Sequence, residues 1–263
     1  MKITVGLFGF GKTGSVVANE IINADDCELK WVLRKSLKNE GEYASHLLGN
    51  SKVEGKIFSL QNLELDKFYN ENKVDVIIDF SASSAIDEYK DAVKHGIKIV
   101  SAISHYTTEE VIKLEDLSKV TAILYSPNIT LGINLLIEAS KMLHKVATNA
   151  DIEIVEEHFK EKMSVSGTAL KIAEELGLDS KTHVKSIRAG GIVGKHEVIF
   201  GLPNQTIRII HESISRAAFG QGAIYAAKWI MGKDKGIFSM RDALETEIGS
   251  LRQNNQMEGS VAN

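Results

Sequence analysis

One cysteine in 263 residues, Cys27, leaves nothing for an internal disulfide to join, which suits a reducing cytoplasm. No run of about 18 apolar residues occurs, so the chain offers no segment able to cross a bilayer as a helix. Nor does it begin with the separate charged, apolar and cleavage regions of an export signal. The apolar run from Ile3 leads straight into a glycine loop and reads as a first strand. Basic residues are not in excess either: 31 Lys and Arg stand against 35 acidic residues, a formal charge of -4, which removes the electrostatic footprint of a nucleic-acid binder. Repeats and low-complexity linkers are also missing. What is present, 43% hydrophobic and 25% charged residues, is ordinary for a globular protein in water, and the length suits one large or two modest domains.

Through the first half, β-branched runs alternate with amphipathic segments, the pattern of a parallel sheet covered by helices on both faces. The expected strands are Ile3–Phe8, Glu28–Leu33, Asp75–Phe80, Lys98–Ser101 and Thr121–Tyr125, with helices near Thr13–Ile22, Ser84–His95 and Thr108–Leu117. Ser126-Pro127-Asn128 closes this unit as a turn, because Pro127 holds its predecessor extended. A longer apolar period over Gly132–Thr148 predicts a helix leading out of the sheet. From Asp151 the texture changes. Asp151–Glu156 alternates like a half-buried strand, and Ser166–Leu176 has helical spacing. Val184–Ala189, His196–Phe200 and Thr206–Glu212 read as strands of a mixed, mostly antiparallel second sheet, the last two joined as a hairpin through Gly201-Leu202-Pro203-Asn204. Arg216–Met231 returns to helix, and the tail from about Glu247, rich in Gln, Asn, Gly and Ser, is expected to fray.

Gly9-Phe10-Gly11-Lys12-Thr13-Gly14 carries the G-x-G-x-x-G spacing directly after a strand and at the start of a helix, the context that turns a weak pattern into a dinucleotide site. Gly9 permits the tight turn, Gly11 lets the backbone approach a pyrophosphate, and Gly14 lets helix and strand pack closely. The helix N-terminus supplies N–H groups and a positive partial charge for the phosphates. About 20 residues on, an NAD site usually presents an acid to the ribose 2′-hydroxyl, whereas this chain has Leu33-Arg34-Lys35-Ser36. Two cations suit a 2′-phosphate, so NADPH is the expected cofactor, with NADH as a lesser one. The bland reading of Arg34 and Lys35 is a solvated loop.

A second constellation follows. His158 and Lys162 lie near a strand end, and Ser166-Gly167-Thr168 opens a helix just beyond. Histidine titrates near neutrality and can deliver a proton. Lys162 and the Ser-Gly-Thr turn can hold a carboxylate by charge and by directed N–H groups. Singly, His158 reads equally well as an ordinary histidine and the turn as a helix cap. Their arrangement together points to a small anionic substrate.

These residues, with Ile78-Asp79-Phe80-Ser81, Pro127-Asn128, Gly132-Ile133-Asn134, the run from Ile187 to His196, Ser215-Arg216 with Phe219 and Gly222, and Gly236–Asp242, resemble the 4-hydroxy-tetrahydrodipicolinate reductase (dihydrodipicolinate reductase) family over nearly the whole chain. The resemblance implies reduction of a small anionic cyclic substrate to tetrahydrodipicolinate in lysine and diaminopimelate biosynthesis, in a cytoplasmic homotetramer. It also implies an α/β fold with a Rossmann dinucleotide-binding domain from both chain ends, residues 1–127 and 217–263. An α+β domain, residues 128–216, binds substrate and builds the oligomer. His158 falls on the family's general acid, Lys162 on its substrate-binding lysine, and Ser166, Gly167 and Thr168 on its carboxylate grip. The nicotinamide is expected between the loops starting at Phe80-Ser81 and at Ala102-Ile103-Ser104 and the turn at Asn128, with Arg216 and Phe219 near the cofactor. The chain departs from the family pattern at Phe159, which replaces a second histidine. It departs again at Lys162–Thr168, one residue shorter and lacking an Asp and a Pro, and at Ala102-Ile103-Ser104-His105 in place of Gly-Thr-Thr-Gly. Two alternatives stay open: reduction of another cyclic imine or enamine carboxylate, and an NADPH-binding sensor without turnover.

Overall fold

Short β-branched runs, too apolar to face water on either side, set the first sheet. A computed structural model describes residues 2–249. In chain order it begins with β1 (Ile3–Phe8), α1 (Gly14–Asn23), β2 (Cys27–Arg34), the single turn α2 (Ala44–Leu47), β3 (Lys56–Ser59) and α3 (Leu65–Glu71). It continues with β4 (Val76–Asp79), α4 (Ile86–Lys94), β5 (Lys98–Ser101), α5 (Thr108–Ser118) and β6 (Ala122–Tyr125). All four residues of β4 are buried, as a parallel strand with both faces covered requires. Phe8, Trp31, Tyr69 and Tyr89 fill one layer between sheet and helices, with the Phe8 ring centroid 6.1 Å from Trp31 and 5.8 Å from Tyr89. The start of α5 is set locally: the Thr107 hydroxyl accepts from the Glu110 N–H, and the Glu110 carboxylate accepts from the Thr107 N–H.

The described residues divide into two units, one running to Ile129 and resuming at Phe219, the other spanning Thr130–Ala218. The second unit holds α6 (Leu131–Val146), β7 (Asp151–His158), α7 (Gly167–Glu175), the turn α8 (Ser180–His183), β8 (Val184–Arg188), β9 (Lys195–Leu202) and β10 (Gln205–Glu212). Its sheet has the order β10-β9-β7-β8, with β7 and β8 parallel and the other pairs antiparallel. Ile152 and Ile154 of β7 and Val198 and Phe200 of β9 pack against Ile133, Leu136 and Ile137 of α6 and Ile172 of α7. Lys141 of α6 pairs with Glu175 of α7 at 2.8 Å.

The chain then returns to the first unit. Helix α9 (Ala217–Ile230) leads to β11 (Gly236–Phe238), which pairs in parallel with β6 and completes a seven-stranded sheet of order β3-β2-β1-β4-β5-β6-β11. Residues 240–249 are helical, and the rest of the tail expected to fray lies outside the described residues. The sequence reading placed no element between Arg34 and Asp75 and none at Gly236. Strands β3 and β11 have four and three residues, too short to show a period, and exist only because an edge of the sheet is there to pair with. Among the described residues no helix is long and apolar enough to cross a membrane.

Candidate active site

β1 and β4 are neighbours, and the chain builds outward from them in opposite directions, which makes their C-terminal ends the point where such sheets hold ligands. The loop after β1 is shaped for close approach. Gly9 has φ of 90°, and a Cβ there would lie 2.9 Å from the Phe80 carbonyl oxygen. A Cβ on Gly14 would lie 2.2 Å from the Gly9 carbonyl oxygen, so α1 can start against the loop only with glycine. Gly11 faces open space, leaving room for a phosphate rather than for protein. Phe10 is half-buried, Lys12 is exposed, and Thr13 at the head of α1 makes no side-chain cap bond, so the helix keeps N–H groups for an anion.

Beside this loop lies a cavity of about 480 Å³ lined by Thr13, by Phe80, Ser81, Ala82 and Ser83 after β4, and by Ala102, Ile103, Ser104 and His105 after β5. Pro127, Ile129 and Phe219 complete the wall. Asn128 sits in the turn between two of these residues, its carbonyl accepting from the Ser126 hydroxyl at 2.8 Å. At the end of β2, an Arg34 guanidinium N–H donates to the Lys38 carbonyl at 3.1 Å while its Nε has no partner, and the Lys35 ammonium donates to Ser84 at 2.5 Å. The glycine loop, the helix N-terminus and this cavity fit a dinucleotide. Arg216 lies in the second unit and is exposed.

In the second unit the alternation of β7 that buries Ile152 and Ile154 also buries Glu156 and His158. A carboxylate with no exposed surface must be paired, and the neighbouring strands supply the partners. The parallel register of β8 sets Ser186 opposite Glu156 and Arg188 opposite His158, while antiparallel β9 sets His196 opposite Glu156. Arg188 grips both oxygens of Glu156, at 2.8 and 2.6 Å, and the Ser186 hydroxyl donates at 2.6 Å. The Ser166 N–H donates at 3.2 Å, and His158 Nδ1 lies 2.5 Å away. Burial alone would raise this carboxyl, but the bonds from Arg188, Ser186, His158 and Ser166 outweigh it and hold Glu156 at about 2. Glu156 is therefore an anion with no proton to give, so Nδ1–H of His158 is the donor. His158 Nε2 faces Gly194, where a Cβ would come within 3.1 Å.

Ser166 stands at the head of α7 without capping it, because its hydroxyl engages His196 Nε2 at 2.9 Å. The head of α7, opened by Gly167, thus keeps the positive partial charge of a helix N-terminus. Burial, then the charge of nearby His158, lowers His196 to about 4, so it is neutral at physiological pH. Lys162 is half-buried, and its carbonyl accepts from Arg188 Nε at 2.8 Å. Arg188 and Glu156 cancel each other, and Lys162 adds a positive charge felt at His196.

Residues 3–129 match the family profile described as dihydrodipicolinate reductase, N-terminus, and residues 132–244 match the one described as dihydrodipicolinate reductase, C-terminus. The chain belongs to the dihydrodipicolinate reductase family. It is 39% identical over 195 residues to the 4-hydroxy-tetrahydrodipicolinate reductase of Caldanaerobacter subterraneus subsp. tengcongensis, covering 66% of this chain and 78% of that protein. To the protein of the same name from Rickettsia bellii it is 32% identical over 262 residues, 92% of this chain and 94% of the other. In fold it is similar to a dipicolinate-bound dihydrodipicolinate reductase from Paenisporosarcina sp. TG-14, with a TM-score of 0.74 at 21% identity over 91% of this chain and 98% of that one. Membership makes the chain an oxidoreductase whose first unit binds a pyridine nucleotide.

In this reductase chain, Thr13, Phe80, Ser81, Ala102, Ser104 and Phe219 line one cavity, whereas Gly9, Gly11 and Gly14 shape the loop beside it. His158, Ser166, Gly167 and Thr168 gather at the joined ends of β7 and α7. Sequence reasoning gave no role to Glu156, Ser186, Arg188 or His196, although three of them lie in the resembling run from Ile187 or one residue before it. The usable signal was a charged residue at the inward position of an alternating strand, which only a buried pair explains.

Proposed function

We propose that this protein is a 4-hydroxy-tetrahydrodipicolinate reductase that uses NADPH to form tetrahydrodipicolinate for lysine and diaminopimelate biosynthesis in the cytoplasm. The observation that carries the reading is the Arg188–Glu156–His158 chain, centred on a fully buried carboxylate, beside Lys162 and the α7 N-terminus, in a protein that matches both halves of the family. Lys162, Ser166, Gly167 and Thr168 hold a substrate carboxylate. His158 delivers the proton from Nε2, and Glu156 compensates the positive charge of the ring while it carries that proton. The Gly9–Gly14 loop and the cavity walls would hold NADPH, which when bound would supply the hydride. Phe159, Met163 and Val165, all exposed, make the approach to this pocket less polar, which bears on which cyclic imine is preferred.

The carboxylate grip is testable by itself. Lys162→Ala and Thr168→Val should each lower kcat/KM by about 2–4 kcal/mol, with NADPH affinity within about twofold of the unmodified protein, because they lie in the other unit. Loss of NADPH binding with an unchanged substrate KM contradicts the assignment.

NADPH is preferred over NADH because the end of β2 offers Arg34 and Lys35 where an acid would hold a ribose hydroxyl. Arg34→Glu should weaken NADPH binding by about one to two orders of magnitude and leave NADH nearly unaffected, as read by titration of cofactor fluorescence. Equal affinity for both cofactors in the unmodified protein contradicts the preference.

The same reading takes the protein as a homotetramer. The sheet face opposite α6 and α7 carries exposed Ile187 and Ile210 and supports an assembly role. Light scattering coupled to gel filtration reads the mass directly.

A further inference from the structure

Beneath the cofactor cavity lies a carboxylate that the hydride chemistry does not use. Asp79, the last residue of β4, has no exposed surface. It touches the starts of both loops that line the cavity. Its carboxylate accepts the Ser81 N–H at 2.7 Å in the loop after β4, and its carbonyl accepts the Ala102 N–H at 3.0 Å in the loop after β5. The other carboxylate oxygen accepts from the Tyr89 hydroxyl of α4. Tyr89 also interacts with Tyr106, at the far end of the second loop, whose hydroxyl lies 2.8 Å from Ser101 Oγ. The Tyr106 ring also packs on Tyr125 with centroids 5.0 Å apart.

We propose that Asp79 is a positioning residue for the cofactor, tying the two cavity loops into one wall through Ser81, Tyr89 and Tyr106. The second loop, Ala102-Ile103-Ser104-His105, is followed directly by Tyr106, which anchors its far end to Ser101 and Tyr125. The inference rests on the reading of this cavity as the nicotinamide end of the cofactor site. Without the Asp79 carboxylate the loop after β4 would lose its Ser81 tie and α4 its Tyr89 tie, while the Ala102 bond, made by the backbone, would remain; the cofactor would then meet a first loop that must be ordered on binding.

Asp79 also leaves a signature that a packing role alone would not. Burial pushes its carboxyl up to about 6, against the opposing bonds from Tyr89 and Ser81. The titratable groups facing it are Tyr89 from α4, Tyr106 from the loop after β5 and Tyr69 from α3. Burial raises all three phenols, Tyr106 to about 12, so they remain neutral across the working range. Protonation of Asp79 below about pH 6 leaves one oxygen to accept the Ser81 N–H but turns the other into a donor, so the Tyr89 hydroxyl must give up its bond to the carboxylate and accept instead.

The test is cofactor affinity, read by fluorescence titration of the full chain with NADPH between pH 5 and 8, for the unmodified protein, Asp79→Asn and Tyr106→Phe. Tyr106→Phe keeps the ring packing and removes only the hydroxyl, so it covers the case in which Asp79→Asn fails to fold. The expected result is an increase in NADPH Kd of about fivefold for Tyr106→Phe and about tenfold or more for Asp79→Asn at pH 8, with substrate KM unchanged. The ratio of the Asp79→Asn Kd to the unmodified Kd should shrink toward one below about pH 6, a comparison that cancels titration of the cofactor's own phosphate. NADPH Kd within twofold of the unmodified protein for both variants at every pH overturns the proposal. Because the readout is binding, it stands apart from turnover: a protein that binds NADPH in this way yet reduces nothing would contradict the proposed function and leave this inference intact.

Discussion

His158→Gln lowers kcat by about 10²–10⁴-fold and changes the substrate KM far less. The range follows from what a positioned acid contributes when proton transfer accompanies the chemical step. It applies here because His158 is the only histidine between Glu156 and Thr168, and Phe159 has no proton to offer. Glutamine preserves the volume and a donor to Glu156, so the Arg188–Glu156 pair and the Ser166 turn should survive the change. The substrate grip, which depends on Lys162 and the α7 N-terminus, is therefore retained, and the loss falls on kcat. The pH profile separates an acid from a merely structural histidine. If Nε2 delivers the proton, kcat of the unmodified protein falls on the alkaline side, and the variant lacks that limb. A loss below about threefold with an unchanged profile removes His158 from the mechanism.

Glu156→Ala destabilises the fold by about 3 kcal/mol, as measured by urea unfolding at neutral pH. The substitution leaves Arg188, Ser186, the Ser166 N–H and His158 Nδ1 facing a hole in place of one shared acceptor. Partial exposure of Arg188, with 20% of its side chain open to solvent, keeps the cost at the low end of what a broken buried pair produces. The pH dependence has a defined sign. Glu156 is held at about 2, below the ordinary glutamate value, so its contribution is present in full above that ordinary value and is lost as pH falls toward 2. Glu156→Gln should therefore be less stable than the unmodified protein at pH 7, with the gap narrowing on acidification. A gap that is constant from pH 7 to pH 3 contradicts the ionised state assigned to this carboxylate.

Much of this was legible before the fold was known. The glycine loop could be read because its spacing, its preceding strand and its following helix are all local, and Ile3–Phe8 and Lys98–Ser101 emerge with the expected bounds. The period of two in Asp151–Glu156 likewise predicts a half-buried strand, which in the structure runs on to His158 and turns that residue to the same inward face. What period could not show was which strands would lie on either side. Arg188 and His196 reach Glu156 only through the β8 and β9 registers, 32 and 40 residues away in the chain, and no local pattern records that pairing. Asp79 was visible in Ile78-Asp79-Phe80-Ser81, yet its complete burial depends on α4 folding back to place Tyr89 over it. Lys35 shows the opposite case: the loop expected to be solvated or cofactor-bound is already held by Ser84, beside the cavity wall.

The most direct test of the central claim is NADPH oxidation by the purified protein in the presence of freshly generated 4-hydroxy-tetrahydrodipicolinate, with the product identified by mass. The account predicts catalytic oxidation, one NADPH consumed for each tetrahydrodipicolinate formed, and loss of that turnover in His158→Gln. Tight NADPH binding with no oxidation above the protein-free rate would contradict it and leave a cofactor-binding protein without this reaction.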